Sequence, residues 1–470
     1  MIGIDTGAEV SRQRPGLTAL SGSQFENDAL WEEVVATEGI NIDSYLRQHD
    51  SIRLFFNIED NVMKLNNSIE DKDKIAWLQG LLGQDFLLWT PNLMEQGFLN
   101  WDQIFATRVI KSAGSKKSFI KRTQEINPTY GFLDRKRDVN DLMKDEHLSG
   151  LLVLHKGEVI LERYALGLAP DKAWQSSSVV KSLTSILIGA AIQDGYIKSL
   201  DDAVPKFLPE FQGTIYEQVT LRNLLTMCSG AEFTENYEDL HSNVAADYIR
   251  PIAERKKNFI LDRLKIAKRI NPPGKQFSYN TGDTFLLSHV LTRATGRHVA
   301  DYCSERVWIP MEMDYDGYFM LDSDDGFEIT GSCCGATLRD YARLGQLMLN
   351  DGVAANGERI VPEGWVAEST APCAPNFNVD FWPAPYPKIF GYGYFWWVIR
   401  PGSFTAIGVY GQWIHVEPES NTVIVMIGAM PRDCYMNPSE PAAVLRGAHD
   451  GGLGTPGRLA FIDAAIEACR

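Results

Sequence analysis

Apolar and polar positions change rhythm several times along the chain. Leu151-Leu152-Val153-Leu154-His155 and Val159-Ile160-Leu161-Glu162-Arg163-Tyr164 are two strand-like runs about the turn Lys156-Gly157, a pattern that predicts a hairpin. From Ser178 to Asp194 the spacing becomes helical, and Gly195 supplies the stop. Residues 200–325 read as helices and loops rich in Pro and Asp. A further helix is expected over Thr337–Asn350, with Leu338, Tyr341, Ala342, Leu344, Leu347 and Met348 on its apolar face. Four strand-like runs follow, Tyr392–Ile399, Phe404–Tyr410, Gln412–Val416 and Thr422–Ile427. Strands on both sides of a helical stretch imply one antiparallel sheet assembled from distant segments.

The first 130 residues lack this order. Trp77, Trp89 and Trp101 are spaced through them, the run Phe86-Leu87-Leu88-Trp89 reads as a core contact, and Lys111–Arg122 reads as a surface connection. We expect an appended helical or irregular region over 1–130 and the main domain over 131–470.

Bulk composition narrows the function. At 470 residues, with 44% hydrophobic and 23% charged residues, the chain is an ordinary globular one of two or three packed units. The net charge of −16 repels phosphate backbones and anionic lipid, so neither nucleic acid nor a membrane surface is expected as a partner. Met1-Ile2-Gly3-Ile4-Asp5-Thr6 has neither a basic nor an apolar leader region, and the apolar run Ile186–Ile192 is far short of a membrane span. Seven cysteines, with no C-x-x-C pair, suit reduced thiols. A cytoplasmic protein is expected.

Chemistry enters with Ser178-Val179-Val180-Lys181. Serine and lysine three apart on a helix share a face, so the amine can reach the hydroxyl. A serine hydroxyl needs a base, and a lysine serves as one if burial lowers its pKa. Val179, Val180, Leu183, Ile186 and Leu187 provide that apolar setting. Chance alone supplies about one S-x-x-K in a chain of this size, and a second, Ser118-Phe119-Ile120-Lys121, lies in a polar, lysine-rich run where the amine stays solvated. By pattern alone, Ser178 could equally be a helix cap.

Context decides between these readings. Ser176-Ser177-Ser178-Val179-Val180-Lys181-Ser182 opens a hydrophobic helix ending Gln193-Asp194-Gly195, and Val219–Gly230 is a leucine-rich segment ending Ser229-Gly230. Next comes Pro273-Gly274-Lys275-Gln276-Phe277-Ser278-Tyr279-Asn280-Thr281, and then Ala406-Ile407-Gly408-Val409-Tyr410-Gly411-Gln412. In this order the segments resemble the serine β-lactamase-like and penicillin-binding-protein-like hydrolases, within them most of all the family VIII carboxylesterases and 6-aminohexanoate-dimer hydrolases. The resemblance spans about residues 147–435.

It implies an α+β fold of the β-lactamase/transpeptidase type: an antiparallel sheet flanked by helices, with an all-helical subdomain over about 176–325. It also implies Ser178 as nucleophile, Lys181 as its base and Tyr279 as a proton relay. The backbone N–H groups of Ser178 and Val409 would form an oxyanion hole, and Tyr237, Thr281 and Gly408 would contact substrate. Two departures matter. Thr281 stands where the family's Tyr-x-Asn places asparagine, and Ala406-Ile407-Gly408 replaces the Lys-Thr-Gly of β-lactamases, removing the cation that meets a β-lactam carboxylate.

Other frameworks are absent: there is no G-x-S-x-G, no H-E-x-x-H and no Walker A sequence, and Gly452-Leu453-Gly454-Thr455-Pro456-Gly457 follows no strand. The expectation is therefore a serine hydrolase acting through an acyl-enzyme on small carboxylic esters or linear amides, without metal or cofactor. A weak β-lactamase or D-amino-acid peptidase is the alternative enzyme, and a non-catalytic ligand-binding descendant the alternative of another class. A homodimer stays open.

Overall fold

A computed structural model describes residues 56–59, 62–65, 89, 91–114, 119–121, 125–132, 135–237, 239–377, 390–430 and 456–469. The chain divides into two units, Met1–Phe105 and Ala106–Arg470. In the first, a two-stranded hairpin, Phe56–Glu59 with Val62–Leu65, precedes the helix Pro91–Leu99 and the helical turn Trp101–Ile104. Trp89, Phe98, Trp101 and Phe105 cluster there, with Trp101 and Phe105 closest at 4.4 Å between ring centroids. The unit boundary lies nearer the N-terminus than the composition change at 130, because Thr107–Ile110 is a strand paired with Gly317–Met320 deep in the second unit.

The second unit is built on an eight-stranded sheet. Its strands are β1 (Ile120–Lys121), β2 (Leu148–His155), β3 (Glu158–Tyr164), β4 (Gly391–Tyr392), β5 (Trp397–Val398), β6 (Phe404–Gly408), β7 (Gln412–Glu417) and β8 (Thr422–Gly428). The spatial order is β4-β5-β6-β7-β8-β2-β3-β1. All neighbours are antiparallel except β1 on β3. The central pair β8–β2 joins distant segments of the chain, with Val425 opposite Leu152. Every residue of β2, β6, β7 and β8 is buried, so the sheet is covered on both faces. This explains why these strands read as continuous apolar runs rather than strict alternation.

Helix α1 (Val179–Gln193) is buried from Val179 through Ala191 and packs on β6, β7 and α2 (Thr281–Thr295). Side chains such as Leu183, Ile186 and Leu187 are almost wholly enclosed, each contributing about 1.5–3 kcal/mol of burial. Helix α3 (Leu338–Leu349) lies on β7, β8 and β2. At its point of closest approach is Gly345, where a Cβ would come within 2.4 Å of Val423. Helical segments continue to Trp308.

Three expectations change. The run Tyr392–Ile399 is two short strands, β4 and β5, because Gly393 N–H bonds to the Trp396 carbonyl and Phe395 takes φ +62° to turn the chain. The strand expected through Tyr410 stops at Gly408, where Tyr410 (φ +63°) and Gly411 (φ +92°) form the turn into β7. Residues 317–320, inside the stretch read as helical, form a strand of a second sheet ordered Thr107–Ile110, Gly317–Met320, Cys334–Ala336, Trp174–Gln175. Among the described residues, no helix is long and apolar enough to cross a membrane, no acid, histidine and cysteine cluster could hold a metal ion, and Cys228, Cys303, Cys333, Cys334 and Cys373 are free thiols.

Candidate active site

The second sheet delivers the chain to the site. Strand Trp174–Gln175 pairs with Cys334–Ala336, and the pairing continues past its end: Ser176 N–H donates to the Cys334 carbonyl, Cys334 N–H to Ser176 Oγ at 3.0 Å, and Cys333 N–H to the Ser177 carbonyl. Ser177 is held at φ +44°, a left-handed conformation unusual for serine. Its N–H is satisfied by Gln175 Oε1 at 2.6 Å. This strained turn places Ser178 at the N-cap of α1, yet the Ser178 side chain makes no capping hydrogen bond. The hydroxyl points elsewhere, which removes the helix-cap reading.

It meets Lys181. The Lys181 amine, 1% exposed, lies 3.0 Å from Ser178 Oγ, 3.1 Å from Thr281 Oγ1 and 2.5 Å from the Gly331 carbonyl. Burial brings its pKa down from 10.5 to about 8, against the opposing pull of Glu235 and Cys333. A neutral amine has two N–H groups and one lone pair. Thr281 and Gly331 can take the two protons, leaving the lone pair for the Ser178 hydroxyl.

Tyr279 lies beside Lys181. Its ring centroid is 5.0 Å from Lys181 Nζ. Burial holds its phenol well above the ordinary tyrosine range. Trp397 stacks on it at 5.7 Å and 24°, and Tyr392 meets it edge-on at 6.3 Å. Asn280, beside it, caps α2 by accepting the Asp283 N–H. With the asparagine so employed, Thr281 is the residue that faces Lys181.

Gly408 ends β6 against the turn that carries Ser178. A Cβ there would meet the Ser176 carbonyl at 2.6 Å and Ser178 N at 2.9 Å, so the strand's close approach requires glycine. Val409 follows in the turn, which Gln412 braces through its amide: Nε2 donates to the Tyr410 carbonyl at 2.9 Å and to the Gly428 carbonyl at 2.7 Å.

Tyr237 reaches this group indirectly. Its hydroxyl donates to Glu235 Oε2 at 2.7 Å, and Glu235 Oε1 accepts the Thr281 N–H at 2.5 Å. Ser178, Lys181, Tyr279, Thr281 and Gly408 thus converge, Tyr237 joins through Glu235, and Ser118 lies outside the described residues. The sequence reading missed Glu235, Gly331, Trp397 and Gln412. Glu235 sits in the window Glu235-Asn236-Tyr237-Glu238-Asp239, where acidity reads as solvated loop, and a backbone carbonyl such as that of Gly331 leaves no trace in a sequence.

The beta-lactamase family model matches residues 136–429. Among curated relatives, the 6-aminohexanoate-dimer hydrolase of Paenarthrobacter ureafaciens is 29% identical over 302 residues, covering 63% of this chain and 76% of the relative. The D-aminopeptidase of Brucella anthropi is 28% identical over 170 residues, 34% of this chain and 31% of the relative. A Bacillus anthracis structure provisionally named a 6-aminohexanoate-dimer hydrolase superposes with a TM-score of 0.65 at 24% identity, covering 82% of this chain and 96% of that one. A match over more than half the chain, enclosing the serine, lysine, tyrosine and glycine just described, places this protein in the beta-lactamase family.

Proposed function

We propose that this protein is a serine hydrolase that cleaves small carboxylic esters or linear amides through an acyl-enzyme. The observation that carries the reading is the Lys181 amine, buried, depressed to about 8 and 3.0 Å from Ser178 Oγ. In this scheme Ser178 Oγ attacks the substrate carbonyl carbon as its proton passes to Lys181 Nζ. The carbonyl oxygen becomes an oxyanion, received by the N–H groups of Ser178 and Val409. The bond to the leaving alkoxide or amine then breaks, and Tyr279 relays a proton from Lys181 to it. Water enters, Lys181 takes its proton, and attack on the acyl-enzyme releases the acid and restores Ser178. Tyr237, Thr281 and Gly408 line the path of the acyl group, and Trp397 and Tyr392 give its wall an aromatic character.

The substrate class follows from what β6 lacks. Without a lysine in Ala406-Ile407-Gly408, a β-lactam carboxylate loses a charge-assisted contact of about 1.5–3 kcal/mol. Esters of p-nitrophenol are therefore expected to turn over far faster than a chromogenic cephalosporin. Equal kcat/KM for the two would favour the β-lactamase alternative. A fluorophosphonate probe separates enzyme from non-catalytic binder: label on the Ser178 peptide by mass spectrometry is expected, lost in Ser178→Ala. Label on the Ser118 peptide, or none at all, would refute the assignment.

A further inference from the structure

One acidic side chain beside the nucleophile has no part in the scheme above. Glu235 comes in on the loop before Tyr237, and both its oxygens are engaged: Oε1 by the N–H of Thr281, the first residue of α2, and Oε2 by the Tyr237 hydroxyl. Its carboxyl therefore sits at the positive end of a fifteen-residue helix with two donors aimed at it. The side chain of the same Thr281 reaches Lys181 Nζ at 3.1 Å, so a single residue bridges acid and amine.

We infer that Glu235 is a positioning residue for Lys181: its negative charge retains a proton on the amine at neutral pH and so determines where acyl transfer switches on as pH rises. The inference rests on Lys181 acting as the base. Two effects oppose one another at Glu235. Enclosure wins and raises its pKa, while Lys181, Thr281 and Tyr237 hold that rise back; both carboxyl oxygens accept a hydrogen bond, from the Thr281 N–H and the Tyr237 hydroxyl, an arrangement that suits the ionised form. At Lys181 the order is the same in reverse: burial lowers the pKa and Glu235 raises it.

The other titratable groups facing the pair are accounted for. Cys333 from the segment beyond Gly331, Tyr248 from the helical segment Val244–Ile249, Tyr279 and Tyr392 are all pushed upward by burial, so they are neutral through the range in which the amine titrates. Asp283, also on α2, interacts with Glu235, but its Oδ1 accepts the Tyr216 hydroxyl at 2.8 Å. Glu235 is thus the acid that couples to Lys181 through the Thr281 bridge.

The test is the pH dependence of second-order labelling by the fluorophosphonate probe and of kcat/KM for a p-nitrophenyl ester, each variant normalised to its own plateau. In Glu235→Gln, an isosteric change, the acid limb is expected to move down by about one pH unit. The normalised rate at pH 6 then rises roughly tenfold. Tyr237→Phe removes a donor from the carboxylate, weakens its charge and is expected to move the limb the same way by less; it provides the reading should Glu235→Gln fail to fold by circular dichroism. An unmoved limb in folded Glu235→Gln, or a shift in Asp283→Asn in its place, overturns the inference. Failure of the underlying reading looks different: wild-type protein would then show no limb that Lys181→Ala abolishes.

Discussion

Substituting Gly408 by alanine tests the site at its tightest backbone contact. The residue lies in β6 with a φ outside the left-handed region, so alanine is conformationally allowed there and the perturbation is steric. The added methyl would lie 2.6 Å from the Ser176 carbonyl oxygen and 2.9 Å from Ser178 N, whereas ordinary contacts begin near 3.4 Å. About 0.8 Å must open between the strand and the turn. Neither side yields readily: β6 is paired with β7 from Phe404–Val416 through Gly408–Gln412, and the turn is stitched to Cys333 and Cys334. The displaced groups include the Ser178 N–H and the strand end leading into Val409. Misaligning one oxyanion donor costs about 2.7–4 kcal/mol in the transition state, a loss of about 10²–10³ in kcat. The assay is steady-state hydrolysis of a p-nitrophenyl ester with a melting curve for each variant. Gly131→Ala is the control, because nothing lies within 4 Å of its Cβ. A kcat within threefold of wild type in a folded Gly408→Ala would refute an oxyanion hole built on the N–H groups of Ser178 and Val409.

Four further outcomes are expected. The wild-type kcat/KM should rise tenfold per pH unit below about 8 and level off above it, because only the neutral Lys181 amine accepts the serine proton; Lys181→Ala should remove both the limb and nearly all activity. Tyr279→Phe should fold and stack on Trp397 as before, measured by circular dichroism, yet slow acylation on the order of 10²–10⁴-fold in stopped-flow burst experiments. Thr281→Ala deletes one of the three hydrogen-bond partners of Lys181 and should cost about 1–3 kcal/mol in kcat/KM, less than Tyr279→Phe. Asp283 is raised by burial to about 7, and its Oδ2 is buried with no hydrogen-bond partner among the described residues. The folded state therefore holds that proton more tightly than the unfolded chain, and stability falls as pH rises from about 4 through 7; the melting-temperature advantage of Asp283→Asn over wild type should accordingly be larger at pH 8 than at pH 5.

The linear sequence determined the parts of this protein that depend on local spacing. The apolar runs about Lys156-Gly157 and the helical spacing after Ser178 each specify an element, because a turn between two short apolar runs marks a hairpin and side-chain direction follows backbone periodicity. Ser178 and Lys181 had to share a face of α1 once that helix formed. Ordered motifs carried the family as well, since Ser178, Tyr279 and Gly408 keep their sequence context whatever the loops between them do. Tertiary structure decided what depends on distant segments meeting. A strand reads the same whether it ends at Gly408 or Tyr410; packing against Ser176 and the turn through Gly411 sets the end. The short second sheet was invisible because its strands of two to four residues carry too little periodicity to register and exist only by pairing Trp174 with Ala336 and Thr107 with Met320. The same holds for the electrostatics. An S-x-x-K pair places an amine near a hydroxyl, but the depressed pKa of that amine comes from burial, against the opposing pull of Glu235, and its orientation from the Gly331 carbonyl 150 positions away. Charge interactions depend on distance and surroundings in space, and neither is encoded in position along the chain.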